Sequence, residues 1–122
     1  GSRLDRIGRL ADGADDPHPN YEPGWKKELG YQPVDLIGDH PLLVGIDRRP
    51  VFRHAHTQEL KDLPAGFVNL ARTEVTELQY LAHETLPLAG TQFHPEYWTD
   101  EHPAGRTLIA NFCDWAGVSR ST

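Results

Sequence analysis

The 122-residue chain contains a single cysteine, Cys113, and no methionine. One cysteine excludes an intramolecular disulfide framework and a cysteine-rich zinc site, so a reducing compartment, the cytoplasm, is the expected location. Long apolar runs are also missing. None approaches the roughly twenty residues of a membrane span, and no secretory signal is visible. Basic residues are few, with twelve Lys and Arg against eighteen Asp and Glu for a net charge of −6. A surface of that sign repels a phosphate backbone, so nucleic acid is not an expected partner. The 38% hydrophobic share suits one small domain with a modest core.

Gly1-Ser2 resembles the residue of a cleaved affinity tag. In residues 3–10, Leu4, Ile7 and Leu10 stand at helical spacing, which predicts a short helix. Residues 11–24 are rich in Pro, Asp and Gly and read as a loop, either a disordered linker or an ordered functional one. Asp12, Asp15 and Asp16 there form an acidic run, read as a solvated loop ahead of a calcium site. Strand signals then take over at 31–37, 50–56, 67–72, 78–83 and 88–93. Pro33 argues for an edge position, and residues 40–43 for a helical turn between the first two strands. A closing helix follows, with Pro103 in its first turn and Thr99 or Asp100 as its cap. Leu108, Ile109, Phe112, Trp115 and Ala116 share one face, and Gly117 ends it. The pattern alone gives α/β or α+β.

The chemistry-bearing segment is Gly90-Thr91-Gln92-Phe93-His94-Pro95-Glu96. An apolar strand delivers His94 to its C-terminal end, where α/β folds place reactive groups. A carboxylate beside an imidazole fixes its tautomer and stabilises the charged ring. His94 and Glu96 therefore make a candidate base and its orienter, although a His and a Glu two residues apart are also common on plain surface turns.

This heptapeptide resembles the G-x-Q-F-H-P-E signature of class I, triad-type glutamine amidotransferases. Other segments agree in order. Glu28-Leu29-Gly30 resembles the family's E-x-G, and residues 38–46 its following turn. His56 with Leu60, Leu63 and Pro64 resembles H-x-x-x-V-x-x-L-P, and Gly105, Leu108, Asn111 and Phe112 resemble the closing helix. The likeness spans roughly 28–116. It implies the C-terminal part of a flavodoxin-like α/β sheet with a closing helix, a domain over 28–118 and a tail at 119–122. It further implies that His94 is the triad His and Glu96 the triad acid, with His56 beside the glutamine site and Gln92 structural. Tyr97 and Trp98, directly after the motif, are candidate ligand-contacting residues.

The family's cysteine nucleophile, expected upstream in G-x-C-x-G, has no counterpart here, and Cys113 falls in a helix that is structural in the family. A self-contained glutaminase is therefore not expected. Three readings remain open. The first is a truncated domain repurposed to acid–base chemistry, of hydrolase or lyase type, on a small amide or amino-acid-like ligand. The second is a non-catalytic or split subunit that completes a partner amidotransferase or synthetase; a fragment of a full enzyme is its plain variant. The third is a metal site. His54 and His56 on one strand share a face, and His94 with Glu96 would complete a ligand set. No cofactor is implied. A homodimer or a partner subunit is expected to cover the sheet edge that such a domain leaves open.

Overall fold

The computed structural model describes residues 3–117; Gly1-Ser2 and the tail at 119–122 lie outside the described residues. Eight strands and one helix follow in chain order: β1 (Leu4–Arg6), β2 (Glu28–Pro33), β3 (Asp35–Leu36), β4 (Val51–His56), β5 (Gln58–Leu60), β6 (Phe67–Arg72), β7 (Tyr80–His83), β8 (Ala89–Thr91) and α1 (Ala104–Ala116). Short 3-10 turns occupy Pro41–Leu43 and Pro95–Tyr97. The strands form a sheet in the order β3-β6-β7-β8 and two ribbons, β1-β5 and β2-β4, with every pairing antiparallel. Pro33 closes β2, which pairs with β4 alone, in keeping with its missing N–H.

Alternation explains which faces are inside. Phe52 and His54 of β4 are buried while their neighbours are less so. Val34, Leu36, Leu42, Phe52, Leu70, Tyr80, Phe93 and Leu108 form the centre of the core, and Phe112 and Trp115 pack against its margin. Helix α1 is pinned at two points. Asn111 Nδ2 donates to the carbonyls of Leu42 and Val44 at 3.0 and 2.7 Å. Gly105 is buried where the helix meets the backbone of Pro95. Gly117 ends the helix in the left-handed conformation, as the sequence suggests.

Two expectations are corrected. Residues 3–10 are not a helix. Leu4, Ile7 and Leu10 have no core face to serve, and Leu4 is largely exposed. Their backbone is used instead by β5 and the neighbouring loops: Lys61 N–H donates to Arg3 O, and Ile7 N–H to Thr57 O. Nor do Thr99 and Asp100 cap α1. Pro103 holds the capping position without a side-chain bond, and Thr99 Oγ1 accepts from His102 N–H within its own turn.

The loop at 11–24 is ordered around a buried cation. The Lys27 side chain is 1% exposed, and its Nζ donates to both Asp16 oxygens at 3.0 and 3.1 Å and to the carbonyls of His18 and Tyr21. Asp16 also accepts from the amides of His18 and Gly24. The Gly24 amide and the Lys27 ammonium hold the Asp16 carboxyl down at about 2, against an ordinary value of 3.8. A lowered carboxylate pKa stabilises the fold fully above the unfolded value and loses that contribution as pH falls through the folded one. Gly24 amide exchange, corrected for its intrinsic rate, is therefore expected to stay protected down to about pH 3 and to fail near pH 2. In Asp16→Asn it should be weakly protected throughout; equal protection in the two proteins would refute the role of the carboxylate.

Candidate functional site

His94 follows β8 at the rim of the molecule. Its N–H donates to Arg53 O of β4 at 2.8 Å, and its carbonyl accepts from Tyr97 N–H at 3.2 Å. Both backbone groups are thus fixed while the side chain reaches solvent. Phe93, directly before it, is buried and stacks on Phe52 with ring centroids 4.1 Å apart. Pro95 and Glu96 turn away in the 3-10 turn, which brings Glu96 Oε2 to 3.4 Å from His94 Nδ1. That contact is long for a hydrogen bond. The side chains are 40% and 57% exposed, so the pair is assembled but open to water.

Tyr97 and Trp98 are exposed beside it. The Tyr97 ring lies 5.7 Å from His94, and Arg106 lies over the Trp98 ring at 5.5 Å. Tyr97 O accepts from Tyr31 Oη at 2.9 Å, tying the turn to β2. Cys113 is partly buried on α1, eight residues past Gly105 and so about 12 Å further along the helix axis.

His54 and His56 do share a face, as their spacing predicts, but their carboxylate neighbour is Glu28 and not Glu96. The β2-β4 register sets Glu28 opposite His56. His56 Nε2 lies 2.8 Å from Glu28 Oε1, and His54 Nδ1 lies 3.8 Å from the same oxygen. Thr73 Oγ1 donates to Glu28 Oε2 at 2.8 Å, and Gln79 Nε2 donates to Oε1. Burial opposes ionisation of Glu28, but the bonds from His56, Thr73 and Gln79, with the nearby His54, outweigh it and leave its pKa below the ordinary value. Burial pushes His54 below its ordinary value, against the pull of Glu28.

Among the described residues the group with metal-ligand geometry is Glu28, His54 and His56; His94 and Glu96 are outside it. Sequence reasoning missed Glu28 as a site residue. Its partner lies 28 positions away, and only the antiparallel register joins them.

The glutamine amidotransferase class-I model matches residues 20–115. The chain belongs to that family. A glutamine-hydrolyzing GMP synthase subunit of Thermococcus kodakarensis is 34% identical over 94 residues, which is 77% of this chain and 49% of that protein. Its counterpart in Pyrococcus abyssi is 33% identical over the same shares. The chain thus spans about half the length of the curated relatives it matches.

Solved structures agree on the flavodoxin-like amidotransferase fold. A Thermoplasma acidophilum protein described as a GMP synthase subunit superposes with a TM-score of 0.72 at 21% identity, covering 96% of this chain and 49% of that one. A Thermotoga maritima glutamine amidotransferase gives 0.58 at 19% identity, covering 93% and 38%. The α/β expectation with a closing helix holds.

Proposed function

We propose that this chain supplies the His–Glu half of a triad-type glutamine amidotransferase site and works with a cysteine-bearing segment that docks along β8. One observation carries the reading: a backbone-anchored, solvent-open His94–Glu96 pair stands beside an outer strand with apolar surface on both sides. On one side Tyr80, Leu108, Ile109 and Phe112 line a cleft with β8. On the other, Phe67, Leu78, Leu81 and Leu88 line a second. Leu86 and Leu88 are about half exposed. An unpaired strand edge with apolar flanks invites another strand.

In the completed site Glu96 faces Nδ1 of His94 and leaves Nε2 to take the proton of the incoming thiol. The thiolate attacks the side-chain amide of glutamine, and the same nitrogen returns the proton to the departing ammonia. His56 is too enclosed by Glu28 to act as that base. The relatives' description as part of a glutamine-hydrolyzing synthase supports a synthetase as the ammonia's destination. Exposure of the pair and its long 3.4 Å contact favour this reading over a dyad acting alone on a small amide, which needs a water-excluding pocket.

The test joins this chain to the part of the Thermococcus protein that it does not match, by fusion and by mixing, and assays glutamine hydrolysis. Activity above either part alone is expected, with a loss of about 10² to 10⁴-fold in His94→Ala. Activity that ignores His94→Ala, or none from a well-folded fusion, sinks the proposal.

A further inference from the structure

We propose that Glu28, His54 and His56 form a divalent-metal site of zinc type, separate from His94 and Glu96 and independent of the amidotransferase reading. The argument rests on where each ring nitrogen points. His56 Nδ1 lies 2.7 Å from Gln58 O, and a carbonyl only accepts, so Nδ1 carries the hydrogen. Nε2, 2.8 Å from Glu28 Oε1, donates to that oxygen when the ring is charged and offers a lone pair once the ring gives up that proton, as it must to take a metal. His54 repeats this with its nitrogens exchanged. Nε2 donates to Gln32 O at 3.2 Å, which leaves Nδ1 bare. His54 is 0% exposed, and its Nδ1 has no hydrogen-bond partner among the described residues.

With the His56 ring neutral, two lone pairs and a carboxylate converge on one point. Such a convergence repels itself unless a cation or a shared proton occupies it. Backbone carbonyls on the far ring nitrogens are the usual means by which metal-ligating histidines are oriented. Thr73 and Gln79 hold the carboxylate in the same way.

The spacing fits a small ion. Ligand atoms at zinc distances in a tetrahedral site stand roughly 3.3 Å apart. The two His-to-Glu28 separations are 2.8 and 3.8 Å, so shifts of about half an ångström bring both to that value. All three donor atoms lie within 4.8 Å of one another. Two imidazoles and a carboxylate are a borderline set that suits zinc over magnesium or calcium. A route in exists too. Glu28, with Gln32, Thr73 and Val75, lines an open cleft of about 440 Å³, so the carboxylate is the side from which an ion enters, while His54 and His56 lie behind it.

The experiment titrates the chelator-stripped chain with Co²⁺ and then Zn²⁺, following visible absorption and thermal unfolding. One equivalent of Co²⁺ should give the intense band of a tetrahedral site, which Zn²⁺ abolishes. At free zinc about a hundredfold above Kd the melting temperature should rise by roughly 10 °C. Glu28→Gln and His56→Gln should weaken binding by about a hundredfold or more, and His94→Ala should leave it unchanged. Ring-nitrogen NMR of the unsubstituted chain covers the case in which a buried variant fails to fold: zinc should move His54 Nδ1 and His56 Nε2 above all other ring nitrogens. No tetrahedral band, binding that follows His94, or shifts confined to other histidines overturns the proposal.

Discussion

Gly105→Ala is expected to destabilise the chain by about 2–4 kcal/mol, although alanine ordinarily gains about 1 kcal/mol over glycine inside a helix. The usual sign reverses because of what a methyl would meet. A Cβ at Gly105 falls 2.0 Å from the Pro95 carbonyl oxygen and 2.8 Å from its carbon. Both are backbone atoms of the 3-10 turn and have no rotamer to escape into. The helix must therefore back away, and overpacking of this kind costs more than propensity returns. Retreat also strips Leu108 and Phe112 of contact and loosens the turn that holds Glu96 near His94. Thermal unfolding checks the sign, with a fall in melting temperature of about 10 °C expected. A variant that melts at or above the unsubstituted protein would show that the close approach costs nothing.

The same glycine shows what a sequence discloses and what it hides. Gly105 appears in the sequence as part of a resemblance to the family's closing helix, with no stated reason. The structure supplies one: the helix must approach a backbone that a side chain would block. The closing helix itself is legible because Leu108, Phe112 and Trp115 recur at its period over thirteen residues. Strands β4 and β6 are legible as six-residue runs rich in apolar and branched side chains. The likeness of residues 90–96 to the family signature is legible for a different reason, since a short local motif carries its chemistry within itself.

What stays hidden depends on pairing across distance. Leu4, Ile7 and Leu10 have helical spacing, yet three residues of backbone pair with β5, itself only three residues long and too short to signal. In sequence Asp16 looks like one of three solvated acids. It is the carboxylate of a buried Lys27, and nothing local distinguishes it from Asp12 or Asp15. The Glu28 cluster is the clearest case. Strand alternation pairs His54 and His56 correctly, but the sequence points to Glu96, in the conspicuous motif, as their carboxylate. The β2-β4 register brings Glu28 instead, and the turn at 73–76 and the approach to strand β7 bring Thr73 and Gln79.

Phe93→Ala is expected to cost about 3–5 kcal/mol, the largest loss of any single truncation considered. Phe93 is 2% exposed and sits where several elements meet. It stacks on Phe52 at 4.1 Å, meets Tyr80 edge-on at 6.1 Å and lies 5.9 Å from the His54 ring. Truncation leaves a cavity walled by rings that cannot collapse into it, because Phe52 and Tyr80 are held in separate strands and His54 is tied to Gln32. Phe93→Leu keeps much of the volume and should cost about 1–2 kcal/mol. The stability loss carries a site consequence. Phe93 is the last buried residue before His94, whose position otherwise rests on one backbone bond to Arg53 and the 3-10 turn. In Phe93→Ala the His94 amide should therefore lose exchange protection well below the unfolding temperature, while amides of β6 and β7 keep theirs. Loss of protection everywhere at once would place Phe93 in the global core only and deny it a part in holding the His–Glu pair. A melting temperature within a few degrees of the unsubstituted chain would remove it from the core argument as well.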